Sequence, residues 1–219
     1  MPTRGGAVYF QSKPYPEIAQ STFSANQAVY GSAIASLDSG SGAVDIGTIT
    51  NTIFRDGGDE IYIAVDQVRD AMAVTHSNVE GGWPGEGNTD VDPLFASPGY
   101  WDSNGTPDDP NDDILIEGDY HLKSQAGRWD AIAETWVVDE VTSPCIDAGD
   151  PYSPIGLEPF PSGGRINMGF YGGTAEASRS YFGEPLCETI MAGDIHGDCR
   201  VDLADLLIVI SNWHEDPIW

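Results

Sequence analysis

The sequence predicts a mainly β protein: a solenoid of short stacked strands that ends in a small loop-and-helix module. Three observations predict it. A six-residue pattern occurs three times in the first third of the chain. With 26 Gly, 15 Pro and only two Lys in 219 residues, the composition is turn-rich and poor in helix. The third is a run near the end in which spaced aspartates lead into residues of helical periodicity.

Taken in order, Ile18-Ala-Gln-Ser-Thr-Phe23 returns as Ile49-Thr-Asn-Thr-Ile-Phe54 and as Val74-Thr-His-Ser-Asn-Val79, 31 and then 25 residues on. Each reads as a short strand, apolar at both ends and rich in Thr and Ser. A second element, Gly5-Gly-Ala-Val-Tyr9, returns as Gly31-Ser-Ala-Ile-Ala35. Asn26, Gly57 and Gly82 each stand three positions after a strand's last apolar residue. These types tolerate a left-handed backbone, so the chain is expected to turn the same corner each time. Such self-similarity argues for a solenoid and against an antiparallel sandwich. Phe23, Phe54 and Val79 should then point inward in register.

Further along come Ser77-Asn-Val-Glu-Gly-Gly-Trp83, Gly87-Asn-Thr-Asp-Val-Asp-Pro-Leu-Phe95 and Gly118-Asp-Tyr-His-Leu122. Ser143-Pro-Cys-Ile-Asp-Ala-Gly-Asp-Pro151 and Gly163-Gly-Arg-Ile-Asn-Met-Gly-Phe-Tyr-Gly-Gly-Thr174 follow. With the repeats, this ordered series resembles the C-terminal end of right-handed parallel β-helix proteins of the pectate-lyase-like superfamily, as found in bacteria such as planctomycetes. The resemblance implies β-helix coils over residues 1–95 and an irregular end-capping region over 96–183. The polar run from Asp102 to Asp113 interrupts the pattern and reads as a solvated insertion, with a second calcium site as the alternative. Thr174 to Tyr181 is expected to form a short helix, and Gly183-Glu-Pro-Leu186 a linker.

Residues 184–219 form the last unit. Asp194, Asp198, Asp202 and Asp205 occupy positions 1, 5, 9 and 12 of a twelve-residue loop, and Arg200 at position 7 would offer its backbone carbonyl. This is the oxygen-ligand spacing of a calcium loop. Val201 at position 8 would pin the loop onto a core. Leu203, Leu206, Leu207, Ile210 and Trp213 then recur on one helical face, with Asp202 as its N-cap. The segment is half of an EF-hand, and it resembles a single dockerin repeat. That resemblance implies a cohesin-like or cell-surface protein as partner. It departs from the family in His196 at position 3, Cys199 at position 6, Leu203-Ala204 at the recognition pair, and the lack of a second repeat.

A net charge of −26 argues against nucleic acid and anionic lipid as partners, since the field repels both. The charge fits calcium and an extracellular setting. No apolar run is long enough to span a membrane. Met1-Pro2-Thr3-Arg4-Gly5 is not a signal peptide, so the chain is expected to be the C-terminal part, or a fragment, of a longer secreted protein. Cys187 and Cys199 flank the first half of the loop. A disulfide between them would be worth roughly 3 kcal/mol, and two small buried thiols are the equal alternative. Cys145 would stay unpaired, and no spacing suits zinc.

Catalysis on such a scaffold would need paired carboxylates or a calcium-assisted base. Asp90 with Asp92, or Asp147 with Asp150, are the available acids, and Arg128 or Arg165 the available bases. None sits in a recognisable catalytic motif, and turn chemistry explains the acids better. Tyr100, Trp101, Trp129, Trp136 and Tyr171 could stack on sugar rings, although packing over the end of the core explains them more simply. The leading expectation is a non-catalytic closing portion of a secreted β-helix protein with a calcium-dependent attachment module, acting in polysaccharide binding or breakdown. A polysaccharide lyase or glycoside hydrolase, and a structural surface protein, are the alternatives.

Overall fold

The computed structural model describes residues 4–11, 17–37, 47–63, 72–183, 193–195 and 200–211. Its first half is a parallel β-helix of three coils. β1 (Val8–Gln11), β2 (Glu17–Ala19) and β3 (Thr22–Ser24) form the first coil. β4 (Ile34–Leu37), β5 (Gly47–Thr50) and β6 (Ile53–Arg55) form the second. β7 (Ile61–Ile63), β8 (Met72–Thr75) and β9 (Asn78–Val79) form the third. They stack into three parallel sheets, β1-β4-β7, β2-β5-β8 and β3-β6-β9.

The repeats set the register. Ile18 lies beside Ile49 and Ile49 beside Val74; Phe23 lies beside Phe54 and Phe54 beside Val79. The second element is likewise in register, Val8 on Ile34 on Ile61. Like residues therefore stack at the strand spacing: the Phe23 and Phe54 rings are parallel, with centroids 4.9 Å apart. Ile34, Ile49, Phe54, Val74 and Val79 are buried in one core, whereas Val8, Phe10, Ile18 and Phe23 of the first coil are only partly buried. The first coil has a neighbour on one side among the described residues, so its inward side chains are covered on one side.

Each six-residue pattern is two strands, not one. Ile49 and Phe54 are five positions apart, and in a continuous strand an odd separation places side chains on opposite faces. Both point inward because the residue two after the first apolar one is left-handed: Gln20 (φ 46), Asn51 (φ 53) and His76 (φ 46). The Ser and Thr residues belong to this corner. The hydroxyls of Ser21, Thr52 and Ser77 each donate to the carbonyl two residues earlier, at 3.0, 2.9 and 2.9 Å.

The other corner follows the sequence in two coils of three. Gly57 (φ 103) and Gly82 (φ 77) are left-handed, but the first coil turns at Ala25 (φ 61) instead of Asn26. Asn26 is instead engaged with the next coil, donating its backbone N–H and Nδ2 to Asp56 Oδ1 at 2.7 and 3.0 Å.

Residues 83–91 cover the third coil at the β8–β9 corner. His76 N donates to Glu86 O at 2.7 Å and Thr89 N to Ser77 O at 2.9 Å. Asn78 and Thr89 form a parallel bridge, and Trp83 packs on the interior. The chain then leaves the axis and builds along the flank. Three antiparallel pairs follow: β10 (Phe95–Ser97) with β13 (Asp119–Leu122), β11 (Tyr100–Asp102) with β12 (Ile114–Ile116), and β14 (Arg128–Asp130) with β15 (Thr135–Val137). Turns occupy 138–183, and Thr174 to Tyr181 is turn and coil, not a helix.

This flank has its own core of Phe95, Leu122, Cys145, Ile146 and Met168, packed on Ile53. Ile53 belongs to it because its neighbour Phe54 points into the solenoid. Asn51 ties the two units together. Its Oδ1 accepts from Asp150 N at 2.6 Å, its Nδ2 donates to Ser153 Oγ at 3.0 Å, and its carbonyl accepts from Gly169 N at 2.8 Å. Gly169 (φ 92) has no room for a side chain, since a Cβ there would lie 2.9 Å from Ile53 Cδ1.

Phe54→Ala should cost about 3–5 kcal/mol of unfolding free energy in urea denaturation. Phe23→Ala should cost clearly less, because Phe23 is covered on one side. Equal losses at the two positions would contradict the stacked-coil core.

Candidate functional site

The aspartate loop is the site to which the sequence points most strongly. The described residues 193–195 and 200–211 carry part of it; Asp198, His196, Cys187, Cys199 and Trp213 lie outside them. α1 (Leu203–Ser211) begins where the periodicity places it. Asp202 caps it, its Oδ1 accepting from Ala204 N at 2.7 Å. Asp205 closes the loop: Oδ1 accepts from Ile195 N at 2.6 Å and Oδ2 from Asp202 N at 2.7 Å. Asp194 and Asp205 are 4% and 3% exposed, while Arg200 is exposed.

Burying two carboxylates in a strongly acidic chain is costly unless hydrogen bonds or a cation offset it. The donor set, hard carboxylate oxygens in one short loop, has the chemistry calcium takes. Among the described residues no three His, Cys, Asp or Glu side chains converge on one point.

The apolar residues are arranged differently from the expectation. Val201 is 54% exposed, and Leu203, Leu206, Leu207 and Ile210 are exposed too. α1 instead turns Ile208 and Val209, with Ile195, toward a cleft of about 720 Å³ whose other wall includes Pro151, Pro154, Ile155 and Phe160. Nearly every residue of the helix is apolar, so its buried face was not unique in the sequence.

The residues considered for catalysis are engaged in holding turns. Asp92 Oδ1 accepts from Leu94 N at 2.9 Å, Asp147 Oδ1 from Gly163 N at 3.1 Å and Asp150 Oδ1 from Tyr152 N at 2.9 Å. Burial raises the Asp147 carboxyl above its ordinary range. Asp90 lies 3.5 Å from Arg55 Nη1. Arg128 pairs with Asp139 at 3.1 Å and Asp119 at 3.5 Å, and Arg165 donates to the carbonyls of Gly149 and Ala148. In the run from Asp102 to Asp113, Asp102 Oδ1 accepts from Asn104 N at 2.9 Å and Asp112 from the Thr106 hydroxyl at 2.7 Å.

The aromatic residues do not form one platform. Trp129 and Trp136 pair edge-to-face across β14–β15, and the Arg179 guanidinium lies 3.9 Å over Trp136. Tyr171 stacks on His121 at 3.6 Å. Tyr100 and Trp101 are exposed on a separate hairpin, where Trp101 Nε1 donates to Ala25 O at 2.7 Å. Cys145 is a buried free thiol; its sulfur accepts from Asn78 Nδ2 at 3.0 Å, and burial pushes its pKa up.

Two ionisable groupings were not read from the sequence. His121 is buried, with Nδ1 2.6 Å from Asp119 Oδ1. Burial alone would raise Asp119, but its bonds to His121 and the nearby charges of His121 and Arg128 hold it below the usual carboxylate range. The alternation of Asp119 and His121 along one strand was the available signal. The second grouping is Asp56 with Glu60 at the coil-two corner. Glu60 Oε1 accepts from Asp56 N at 2.9 Å and Gly58 N at 3.1 Å. Asp56 Oδ2 and Glu60 Oε2 are buried without a hydrogen-bond partner.

A family model described as "Disaggregatase related", a β-helix-like family, matches residues 100–149, from β11 to the turn before Asp150. No curated protein and no solved structure matches the chain.

Burial pushes both Glu60 and Glu158 up to about 7, from an ordinary value of 4.5. Between those values the folded state holds more protons than the unfolded one. The stabilisation is therefore complete below the unfolded value and is lost as pH rises through about 7. The melting temperature should fall from about pH 5 to about pH 8, and Glu60→Gln should flatten that fall and raise it at the upper end. General repulsion among carboxylates acts in the same direction in both proteins, so the difference between them is the readout. An unchanged slope in the variant would contradict the assignment.

Proposed function

We propose that this chain is the non-catalytic closing part of a secreted β-helix protein that acts in extracellular polysaccharide binding or breakdown. On this reading the solenoid is right-handed and residues 184–219 are a calcium-dependent, dockerin-like attachment module for a cohesin-like or cell-surface protein. The observation that carries the non-catalytic reading is that the acids and bases considered for catalysis are engaged in turn bonds, ion pairs or backbone carbonyl contacts. A general acid or nucleophile needs an oxygen directed at substrate, and the ordering of these groups serves the flank instead.

The attachment reading draws support from Asp205. Position 12 of the loop joins positions 2 and 9 through one carboxylate, so loop closure and helix start depend on the same side chain. Calcium at Asp194, Asp198, the Arg200 carbonyl, Asp202 and Asp205 would neutralise that cluster, and binding would be linked to ordering of the loop.

Calorimetry and circular dichroism on the whole chain test this. Calcium should give a binding heat and a gain of helix, both lost in Asp205→Ala. His196→Asn should tighten binding by restoring an oxygen ligand at position 3. No heat, with helix content indifferent to chelator, would contradict the attachment module. Calcium-dependent turnover of an acidic glycan, abolished by a single Asp or Arg substitution, would contradict the non-catalytic reading.

A further inference from the structure

The hairpin of β11 and β12 sets an apolar surface beside a strongly acidic loop. Its strands pair Tyr100 with Ile116, Trp101 with Leu115 and Asp102 with Ile114. Side chains alternate across such a pair, so Tyr100, Ile114 and Ile116 share one face, and Trp101 and Leu115 the other. All five are exposed, from 38% at Ile116 to 56% at Tyr100. No third strand joins the pair among the described residues. Two strands alone are marginal in water, and an exposed apolar edge is a template for another chain.

The rest of the fold nonetheless holds the hairpin in place. Trp101 Nε1 donates to Ala25 O at 2.7 Å, which ties the second face to the first coil. At the base, Gly118 lies so close to Gly99 that a Cβ on it would collide with the Gly99 nitrogen. The connecting loop is ordered by its own bonds. Asp102 Oδ1 accepts from Asn104 N at 2.9 Å, Asp109 Oδ1 from Asn111 N at 3.1 Å, and Asp112 Oδ1 from the Thr106 hydroxyl at 2.7 Å. The face of Tyr100, Ile114 and Ile116 is thus held on a fixed support and stays exposed.

Charge selects what covers it. Residues 98–118 contain Asp102, Asp108, Asp109, Asp112, Asp113 and Glu117, and no Lys, Arg or His. None of these six carboxylates is in an ion pair among the described residues. A second copy of the chain would bring the same carboxylates to the contact, and with them another net charge of −26. Docked surfaces carry complementary potentials, and like charges set against each other are costly. A basic strand meets that requirement; an acidic one does not.

We propose that the β11–β12 hairpin is a docking surface for a partner protein that adds an extended apolar strand flanked by lysine or arginine. The strand lies along β12, whose three residues are all apolar, and extends the pair to three strands. Its apolar side chains cover Tyr100, Ile114 and Ile116, and its cations meet the carboxylates of the loop and of Glu117. Main-chain bonds and covered apolar area hold the strand, and the carboxylates govern encounter rate and choice of partner. The surface is separate in sequence from residues 184–219 and does not rest on the attachment reading.

Fluorescence anisotropy of three labelled peptides, titrated with the whole chain, tests this. The first is Lys-Val-Thr-Val-Lys-Val-Thr-Lys; the second has Ser for every Val, and the third Glu for every Lys. The first should bind at least tenfold more tightly than the second, and the third should not bind. Affinity for the first should fall several-fold as salt rises from about 0.1 M to about 1 M and the screening length shrinks from about 10 Å to about 3 Å. Ile114→Thr combined with Ile116→Thr keeps β-branched residues in the strand and should remove the preference for Val over Ser, with circular dichroism unchanged. If that variant disturbs the hairpin, Asp108→Lys combined with Asp113→Lys leaves the strands untouched and should transfer binding to the Glu peptide. Four results overturn the inference. They are equal binding of the Val and Ser peptides (charge attraction only), binding unchanged in both variants, and no binding of any peptide. The fourth is self-association of the chain in sedimentation velocity that the Ile variant abolishes, which would make a second copy the occupant.

Discussion

The structure depends on a left-handed residue in the middle of each repeat. Without Gln20, Asn51 and His76 at positive φ, the six-residue segments would run straight and present Ile49 and Phe54 to opposite sides. With it, each segment folds into two strands at an angle, and both residues enter the same interior. A non-glycine residue in this conformation costs on the order of 1–3 kcal/mol. The surrounding bonds offset that cost: the hydroxyl of the next residue holds the corner from within, and the parallel neighbours hold it above and below. At Asn51 the side chain and carbonyl together also bind three points of the flank. One residue therefore shapes the solenoid and anchors what is built on it.

The two cores follow from that corner. Ile53 and Phe54 are consecutive, so one must face outward when the other faces in. Burying Ile53 requires a second layer, and Phe95, Leu122, Cys145 and Met168 provide it. The glycines of the 163–174 run let the flank come this close: Gly169 lies against Ile53, and Gly172 offers its carbonyl to Gln20 Nε2 at 3.2 Å. The apolar cleft lined by Ile208 and Val209 of α1 has turns of the same flank as its other wall.

Much of this was legible in the sequence. The repeat predicted the stacking register residue by residue, because a solenoid interior demands like volumes one coil apart. The turn roles of Asp92, Asp147 and Asp150 were legible from their Pro and Gly neighbours. The corner itself was not read, although Asn51 and His76 are types enriched at positive φ and the odd spacing between two inward residues was a further signal; Gln20 carries no such preference. The flank was hidden for a different reason. Its hairpins have exposed or half-exposed faces, as in Tyr100–Asp102 and Ile114–Ile116, and so lack the alternation that marks a half-buried strand. The bonds of Glu60 to the Asp56 and Gly58 N–H groups and of His121 to Asp119 are local, but their burial, as under Tyr171 at His121, comes from packing between distant segments, which no local pattern records. The apolar stripe of α1 was visible, but in a helix apolar almost all round it did not specify the covered side.

The central claim is that solenoid and flank are one cooperative structure joined at Asn51. Native-state amide hydrogen exchange tests it directly. If the claim holds, the N–H groups of Asp150 and Gly169 exchange with the same opening free energy as those of β5 and β6, and Asn51→Ala lowers both sets together. Exchange of the 145–173 amides at a separate and much lower free energy, with β5 and β6 unchanged in the variant, would show the flank to be an independent layer and contradict the account.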